Sequence, residues 1–359
     1  MRTRTSTIVP SGKRPAQRGM SLVELMVAIA IGALIVAAMA VLFANNSRSR
    51  SATERASRQM ENGRYALEVL RNDLFHAGYY GELDPAGLLA TGVLTTTKPD
   101  PCATDVGSVQ SAMPVYVQGY DDVAATTLTC LNDVKAGTDV VVVRRVSGCV
   151  VGAAGCAGVP AGAAAFQTSA CSNATELGSA DIANHYRLDT DATVFTLKLR
   201  DCTTVAPKRR YVLRIYYVAN NDRAGDGVPT LKFAELGAGA FATSSLVQGV
   251  ENLQLEYGLD TDGNGDADVY TANPDLYLGC GAATPPTCVV NWTSVVSAKV
   301  FVLTRSIDIT PGYVDAKTYV LGRKANGDAN EFSGLDPGYK RRVFQEVVRL
   351  QNPSGRRGS

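Results

Sequence analysis

The chain has 359 residues, 45% of them hydrophobic and 19% charged, with a formal net charge of +1. That length holds one large domain or two smaller ones, and a charge so near zero supplies no overall field to gather nucleic acid. The charge is unevenly placed: Arg2, Arg4, Lys13, Arg14 and Arg18 put five positive charges and no acid ahead of Met20, leaving the remainder at −4. A basic head on a mildly acidic body is the pattern of an export signal, because basic residues stay on the cytoplasmic side.

The segment Met20 to Ala44, MSLVELMVAIAIGALIVAAMAVLFA, runs for 25 residues with Glu24 as its one charge. As a helix it reaches about 37 Å, enough to cross a bilayer core of about 30 Å. A secretory signal has a shorter apolar core with a small-x-small cleavage site behind it. Here Arg18-Gly19 precedes the apolar run and no such break follows it. Ala52, Ala56, Met60, Leu67, Leu70 and Leu74 recur near helical spacing among Arg and Glu, which carries the helix on to a stop at Gly78. Glu24 costs on the order of 3 kcal/mol inside a bilayer. It reads either as a functional intramembrane carboxylate or as an interfacial one reaching the headgroups.

Beyond Tyr80 the texture turns to Gly, Thr, Ala and Asp with short β-branched runs. Strands are expected at Val115–Tyr120, Asp139–Val146, Val194–Arg200, Arg210–Val218, Thr230–Glu235, Gly249–Tyr257, Val295–Thr304, Lys317–Leu321 and Arg342–Leu350. The alternation in Asn252 to Tyr257 suits an antiparallel strand with one solvated face. A long helix followed by a β-rich antiparallel body is an α+β pattern, the helix packing on the exported sheet domain. The expected organisation is a leader at 1–19, a membrane half of the helix at 20–44, an amphipathic half at 45–78, a β-rich exported domain at 79–350 and a disordered tail at 351–359. A division of the body near 170–190 is weakly indicated.

Eight cysteines, Cys102, Cys130, Cys149, Cys156, Cys171, Cys202, Cys280 and Cys288, all follow the apolar segment, with no CxxC spacing. Export favours disulfides over free buried thiols. Loop closure favours near neighbours: Cys149–Cys156 and Cys280–Cys288 first, then Cys102–Cys130 and Cys171–Cys202. The Gly/Ala-rich stretch 150–165 is a surface loop that the first of these would tether.

Asp260, Asp262, Asn264, Asp266 and Asp268, with Gly265 at the sixth position, follow the first part of a calcium loop. Thr271 stands where the bidentate Glu would be, so calcium would bind weakly. A plain hairpin turn fits the same residues. No other cofactor is called for. Only two histidines occur, His76 and His185, and HExxH, GxSxG and P-loop sequences are absent. A catalytic site is not expected. Gly237 to Ala242 mimics a dinucleotide fingerprint without its βαβ setting and reads as a flexible loop. Lys208-Arg209-Arg210 and Lys340-Arg341-Arg342 read as solvated or edge-protecting triplets rather than a nucleic-acid surface.

Gly19-Met20-Ser21-Leu22-Val23-Glu24-Leu25 resembles the type IV prepilin signal: a basic leader ending in Gly, then a hydrophobic residue, with Glu fifth in the mature chain. Four segments are similar to minor pilins of the PilW family: Asn62 to Gly81, Val247 to Asp268, Val295 to Ser306 and Tyr339 to Pro353. The resemblance implies cleavage between Gly19 and Met20 by a prepilin peptidase, N-methylation of Met20, and a role for Glu24 in assembly. It implies residence in the inner-membrane lipid before incorporation, and other minor pilins and the pilus filament as partners in initiating or capping a type IV pilus. Met20 and an uninterrupted helix depart from the Phe start and deep Pro of many major pilins. A minor pseudopilin of type II secretion would share the signal and helix, a pilus adhesin would use the variable middle region, and a membrane-anchored enzyme would need a catalytic cluster.

Overall fold

In the computed structural model, residues 19–83, 98–279 and 286–357 are described. Helix α1 (Leu22–Phe75) has 54 residues and opens on Ser21. The Ser21 hydroxyl accepts the Glu24 N–H at 3.2 Å and its carbonyl accepts the Leu25 N–H at 3.1 Å, as an N-cap does for the orphan donors of a first turn. The helix ends three residues before Gly78, which takes a φ of +70° against the Tyr116 ring. The chain divides into two compact units between Arg55 and Ala56, so α1 contributes to both.

In the first unit, Leu22 to Phe43 are exposed almost throughout, including Leu22, Leu34 and Phe43 at 74%, 71% and 77%. In the second, the buried face of α1 is Gly63, Ala66, Leu70, Asp73 and Leu74, spaced three and four apart. Ala52 and Ala56, expected on the packed stripe, are exposed. Burial of the helix begins only at Gly63, where a Cβ would fall 2.3 Å from the Phe344 ring. Burying Leu70 and Leu74 supplies about 1.5–3 kcal/mol each.

The larger sheet has the order β1 (Val117–Tyr120), β2 (Val140–Val150), β5 (Lys208–Ala219), β3 (Ala165–Thr168), β4 (Tyr186–Asp189). β5 also pairs β6 (Thr230–Leu236), and β6 pairs β7 (Phe241–Gln248). The four consecutive valines of β2 alternate between two cores. Val141 and Val143 join one with Ala66, Leu70 and Leu74, and Val140 and Val142 join the other with Tyr80, Phe166 and Ile215. A continuous apolar run is thus a strand buried on both faces.

The second sheet runs β13 (Arg341–Arg349), β10 (Val295–Arg305), β8 (Val250–Leu259), β9 (Val269–Thr271), and a hairpin of β11 (Tyr319–Arg323) with β12 (Ala329–Phe332) lies beside it. Every pairing is antiparallel. β8 was expected to keep one solvated face, yet all ten of its residues are buried. The β11–β12 hairpin covers the polar side: Asn330 donates to Gln254 at 3.0 Å and the Arg323 N–H to Glu256 at 2.7 Å.

Other expectations are corrected. Val194–Arg200 is not a strand but a short turn of helix at Ala192–Val194 and one bridge from Lys198 to Val205. β3, β4, β7, β9 and β12 are strands that periodicity did not reveal. Residues 351–357 are not a disordered tail. They form α4 (Gln351–Arg357), held by Asn352 to the Ala77 carbonyl and Arg357 to the Thr293 carbonyl. The body does not divide near 170–190, since residues 56–359 form one unit. Two short helices, α2 (Val106–Ser111) and α3 (Pro286–Thr293), complete the described strands and α-helices.

Candidate assembly helix and the sites of the exported domain

Gly19 and Met20 are exposed and lie outside α1, whose first hydrogen bonds begin at Ser21. The bond between them lies outside the helix, just ahead of its first turn. Glu24 stands in the first turn, where a carboxylate complements the exposed N–H groups and the positive end of the helix dipole. The Ser21-Leu22-Val23-Glu24 spacing is that of a capping box, a reading of Glu24 that the apolar context hides. From Leu22 the helix is long and apolar enough to cross a membrane, and its large apolar side chains up to Phe43 are exposed among the described residues.

In the second unit α1 is fixed by ions as well as by apolar contact. Asp73 is 4% exposed. It accepts Arg145 Nη2 at 2.6 Å and Arg214 Nη1 at 3.0 Å, and the Tyr216 hydroxyl donates to it. Burial pushes the Asp73 carboxyl up, but the two guanidiniums and the hydrogen bonds outweigh it and hold the group below 3.8. Arg214 continues to Glu235 at 2.5 Å, and Arg210 reaches the same carboxylate at 2.7 Å. Sequence reading missed this cluster. Its signal was arginine inside apolar strands, VVVVRRV and YVLRIYYVA, since charges there need buried partners.

The basic triplets divide: Lys340 and Arg342 are exposed, as expected, whereas Lys208, Arg209 and Arg210 are half-buried and Arg341 is buried. Arg209 donates to the Ser147 carbonyl at 3.1 Å and lies over the Tyr79 ring. Arg341 is not solvated. Its side chain is fully buried, bonded to Glu251 at 2.5 Å and Asp315 at 3.0 Å, which ties β13 to β8 and to the loop after β10. His76 is exposed just past α1, its Nδ1 2.7 Å from the Asn72 carbonyl, and His185 Nε2 lies 3.0 Å from the Ser179 carbonyl.

Three disulfides close: Cys102–Cys130, Cys149–Cys156 and Cys171–Cys202, with Cα separations of 5.4, 5.5 and 4.9 Å. The expected Cys280–Cys288 pair lies outside the described side chains. Cys149–Cys156 ties the end of β2 to the Gly/Ala loop, whose strand continues as β3.

The loop after β8 draws Asp260, Asp262 and Asp268 together, with one oxygen of each within 4.8 Å of the others. Asp260 accepts the Gly263 N–H at 2.7 Å and the Gly265 N–H at 3.0 Å, and Arg357 Nη1 lies 3.4 Å from it. Burial raises the Asp260 carboxyl, and these donors more than reverse it. Asp268 is lowered by the N–H and hydroxyl of Thr261. Asn264 instead donates to Asp262 at 3.0 Å, and Asp266 faces Arg349 at 3.3 Å. Of the five residues expected around a cation, three are thus grouped and two are turned to neighbours. Asp121, Asp122 and Asp139 form a second acidic group. Burial, and then the Asp121 charge, push the Asp139 carboxyl well up.

The family model described as type IV pilus-assembly protein W matches residues 215–352, from β5 through β13 into α4. The prokaryotic N-terminal methylation motif matches residues 14–40, across Gly19, Met20, Glu24 and the start of α1. No curated protein and no solved structure matches the chain. The methylation signal opens an apolar helix made for lipid or for other helices, and the matched carboxyl-terminal region is the sheet that packs on its second half. Together these matches support a PilW-type pilin, and the methylation signal with its apolar helix fits a protein anchored in the inner membrane whose exported domain later enters the pilus.

Proposed function

We propose that this minor pilin helps initiate or cap type IV pilus assembly alongside other minor pilins, after a prepilin peptidase cuts between Gly19 and Met20 and Met20 is N-methylated. The observation that carries this reading is the N-terminal half of α1, whose apolar side chains from Leu22 to Phe43 are unburied in the single chain. Such a surface exchanges lipid for the apolar helices of neighbouring subunits at little cost, because lipid tails and apolar side chains are alike as solvents. Glu24 then accepts a charge-assisted hydrogen bond from a neighbour's new N-terminal amine. The two family matches support a structural role in association with other pilins and the assembly machinery. Deletion of the chain tests the reading. Loss of surface pili and twitching is expected, restored by the full chain, whereas normal pili with lost attachment would replace assembly by adhesion.

We also propose weak calcium binding at the 260–268 loop. It is supported by the grouping of Asp260, Asp262 and Asp268 and by the depressed carboxyls of Asp260 and Asp268, which stay ionised at neutral pH.

A further inference from the structure

We propose that the free edge of β7 is a docking strand that pairs, backbone to backbone, with an uncharged extended segment of a neighbouring, different pilin subunit. The inference rests on the pilin reading and names a contact that the helix does not provide. β7 (Phe241–Gln248) pairs β6 on one side and no described strand on the other. An antiparallel edge strand turns alternate N–H and C=O groups outward. Among the described residues, only the Gln248 carbonyl on that edge has a partner, the Asn62 amide of α1 at 3.0 Å. Ala242, Thr243, Ser244 and Ser245 are all exposed. The hairpin that presents them is well formed, with the Gly237 N–H on the Ala240 carbonyl at 2.8 Å and Gly239 at a φ of +70°.

Sheet edges in monomers carry charge, proline or a cover that discourages pairing. β13, the outer strand of the second sheet, has Arg341, Arg342, Glu346 and Arg349. From Leu236 to Val250 the β7 hairpin has no Asp, Glu, Lys, Arg or Pro over fifteen residues. Its eight strand residues reach about 27 Å, ample for a paired strand.

Two observations select the occupant. A charge set against this neutral edge would lose water and gain no counter-charge, so the incoming segment is uncharged where it pairs. The edge also ends on α1 at Asn62, so a subunit packed along that helix meets β7 as a continuation of the same contact. A second copy pairing β7 with β7 would make an isologous contact that closes at two chains, whereas a filament grows through heterologous ones.

The test uses the full chain in piliated cells, with a benzophenone amino acid at position 244 and irradiation before and after shearing of pili. An adduct with a different pilin supports the proposal. An adduct with a second copy, with a non-pilin protein or with the chain's own residues overturns it, and so does the absence of any adduct when the chain enters pili normally. Independently, Ser244→Lys should lower incorporation roughly tenfold while Ser244→Thr leaves it unchanged, because an edge lysine blocks pairing and a hydroxyl does not. Equal incorporation of the lysine variant at an unchanged membrane level overturns the proposal. Wild-type piliation in a deletion strain would instead remove the initiation role, a separate outcome from either readout.

Discussion

The two halves of α1 obey opposite rules within one continuous helix. From Leu22 to Phe43 large apolar side chains stand exposed and Glu24 is the one charge. From Ala56 to Phe75 the surface is charged, and the buried stripe is made of Gly63, Ala66, Leu70, Leu74 and an aspartate. The first half leaves its partner to be supplied by lipid or another subunit. The second has been given its partner by its own domain, down to a glycine that admits an aromatic ring. A helix that must change surroundings cannot carry specific buried ions along its whole length, since each would have to be satisfied again in every environment. Specificity is confined to the half that never leaves its sheet.

The largest expected effect breaks the first half. A bulky replacement such as Gly19→Val should leave the leader attached, keep the chain in the membrane and abolish its appearance in sheared pili. Peptide mass analysis of the native protein should find a mature start at methylated Met20, and a start beyond residue 40 would remove the prepilin reading. Glu24→Ala should insert as well as the native helix, being more apolar, and yet be depleted from pili. Full complementation by Glu24→Ala would sink the proposed pairing with a neighbour's amine.

Breaking the second half is a matter of stability. Asp73→Ala removes a buried carboxylate, taking the counter-charge from half-buried Arg145 and leaving Arg214 with Glu235 alone, a loss of at most about 3–5 kcal/mol by analogy with broken buried pairs, read as a lower denaturant midpoint. The same carboxylate gives a signed pH dependence. Its folded pKa lies below 3.8, so its contribution is complete above the unfolded value of about 3.9 and is lost as pH falls through the folded one. Asp73→Asn should flatten the acid limb of a melting-temperature profile, and an unchanged limb would refute the assignment.

A smaller effect follows at Gly63. Alanine is the better helix former by about 1 kcal/mol, but its Cβ meets Phe344 at 2.3 Å, and overpacking costs about 1–3 kcal/mol. Gly63→Ala should therefore destabilise on balance, and Phe344→Leu should rescue it. Smallest is calcium. At millimolar concentration a loop without a twelfth-position Glu should gain about 1 kcal/mol, a rise of roughly 2–4 °C. The rise should vanish in Asp260→Ala/Asp262→Ala and not be reproduced by magnesium. A melting curve unmoved by calcium would leave a plain turn.

The same contrast explains what could be read in advance. A 25-residue apolar segment with Glu24 as its one charge is long enough to cross a bilayer, so the anchor needed no tertiary information. β2, β5, β8 and β10 were visible as apolar runs or alternations. β7 was not, because Thr243, Ser244 and Ser245 give an exposed edge no hydrophobic period, and its pairing with β6 rests on backbone groups that every sequence has. Val194–Arg200 failed for the converse reason: alternation allows a strand but does not provide a neighbour to pair with.

What the sequence by itself determined is the local and the periodic: a basic leader, a membrane-length helix, its stop near Gly78, an antiparallel body and cysteines in reach of near neighbours. What only the tertiary structure decided is which charges go inside. Asp73, Glu251, Asp315 and Arg341 are ordinary surface residues by type. They are buried because elements as distant as α1 and β5, or β8 and β13, bring opposite charges within 3.0 Å. The desolvation cost of each is offset only by partners far away in the chain, and no local pattern encodes them.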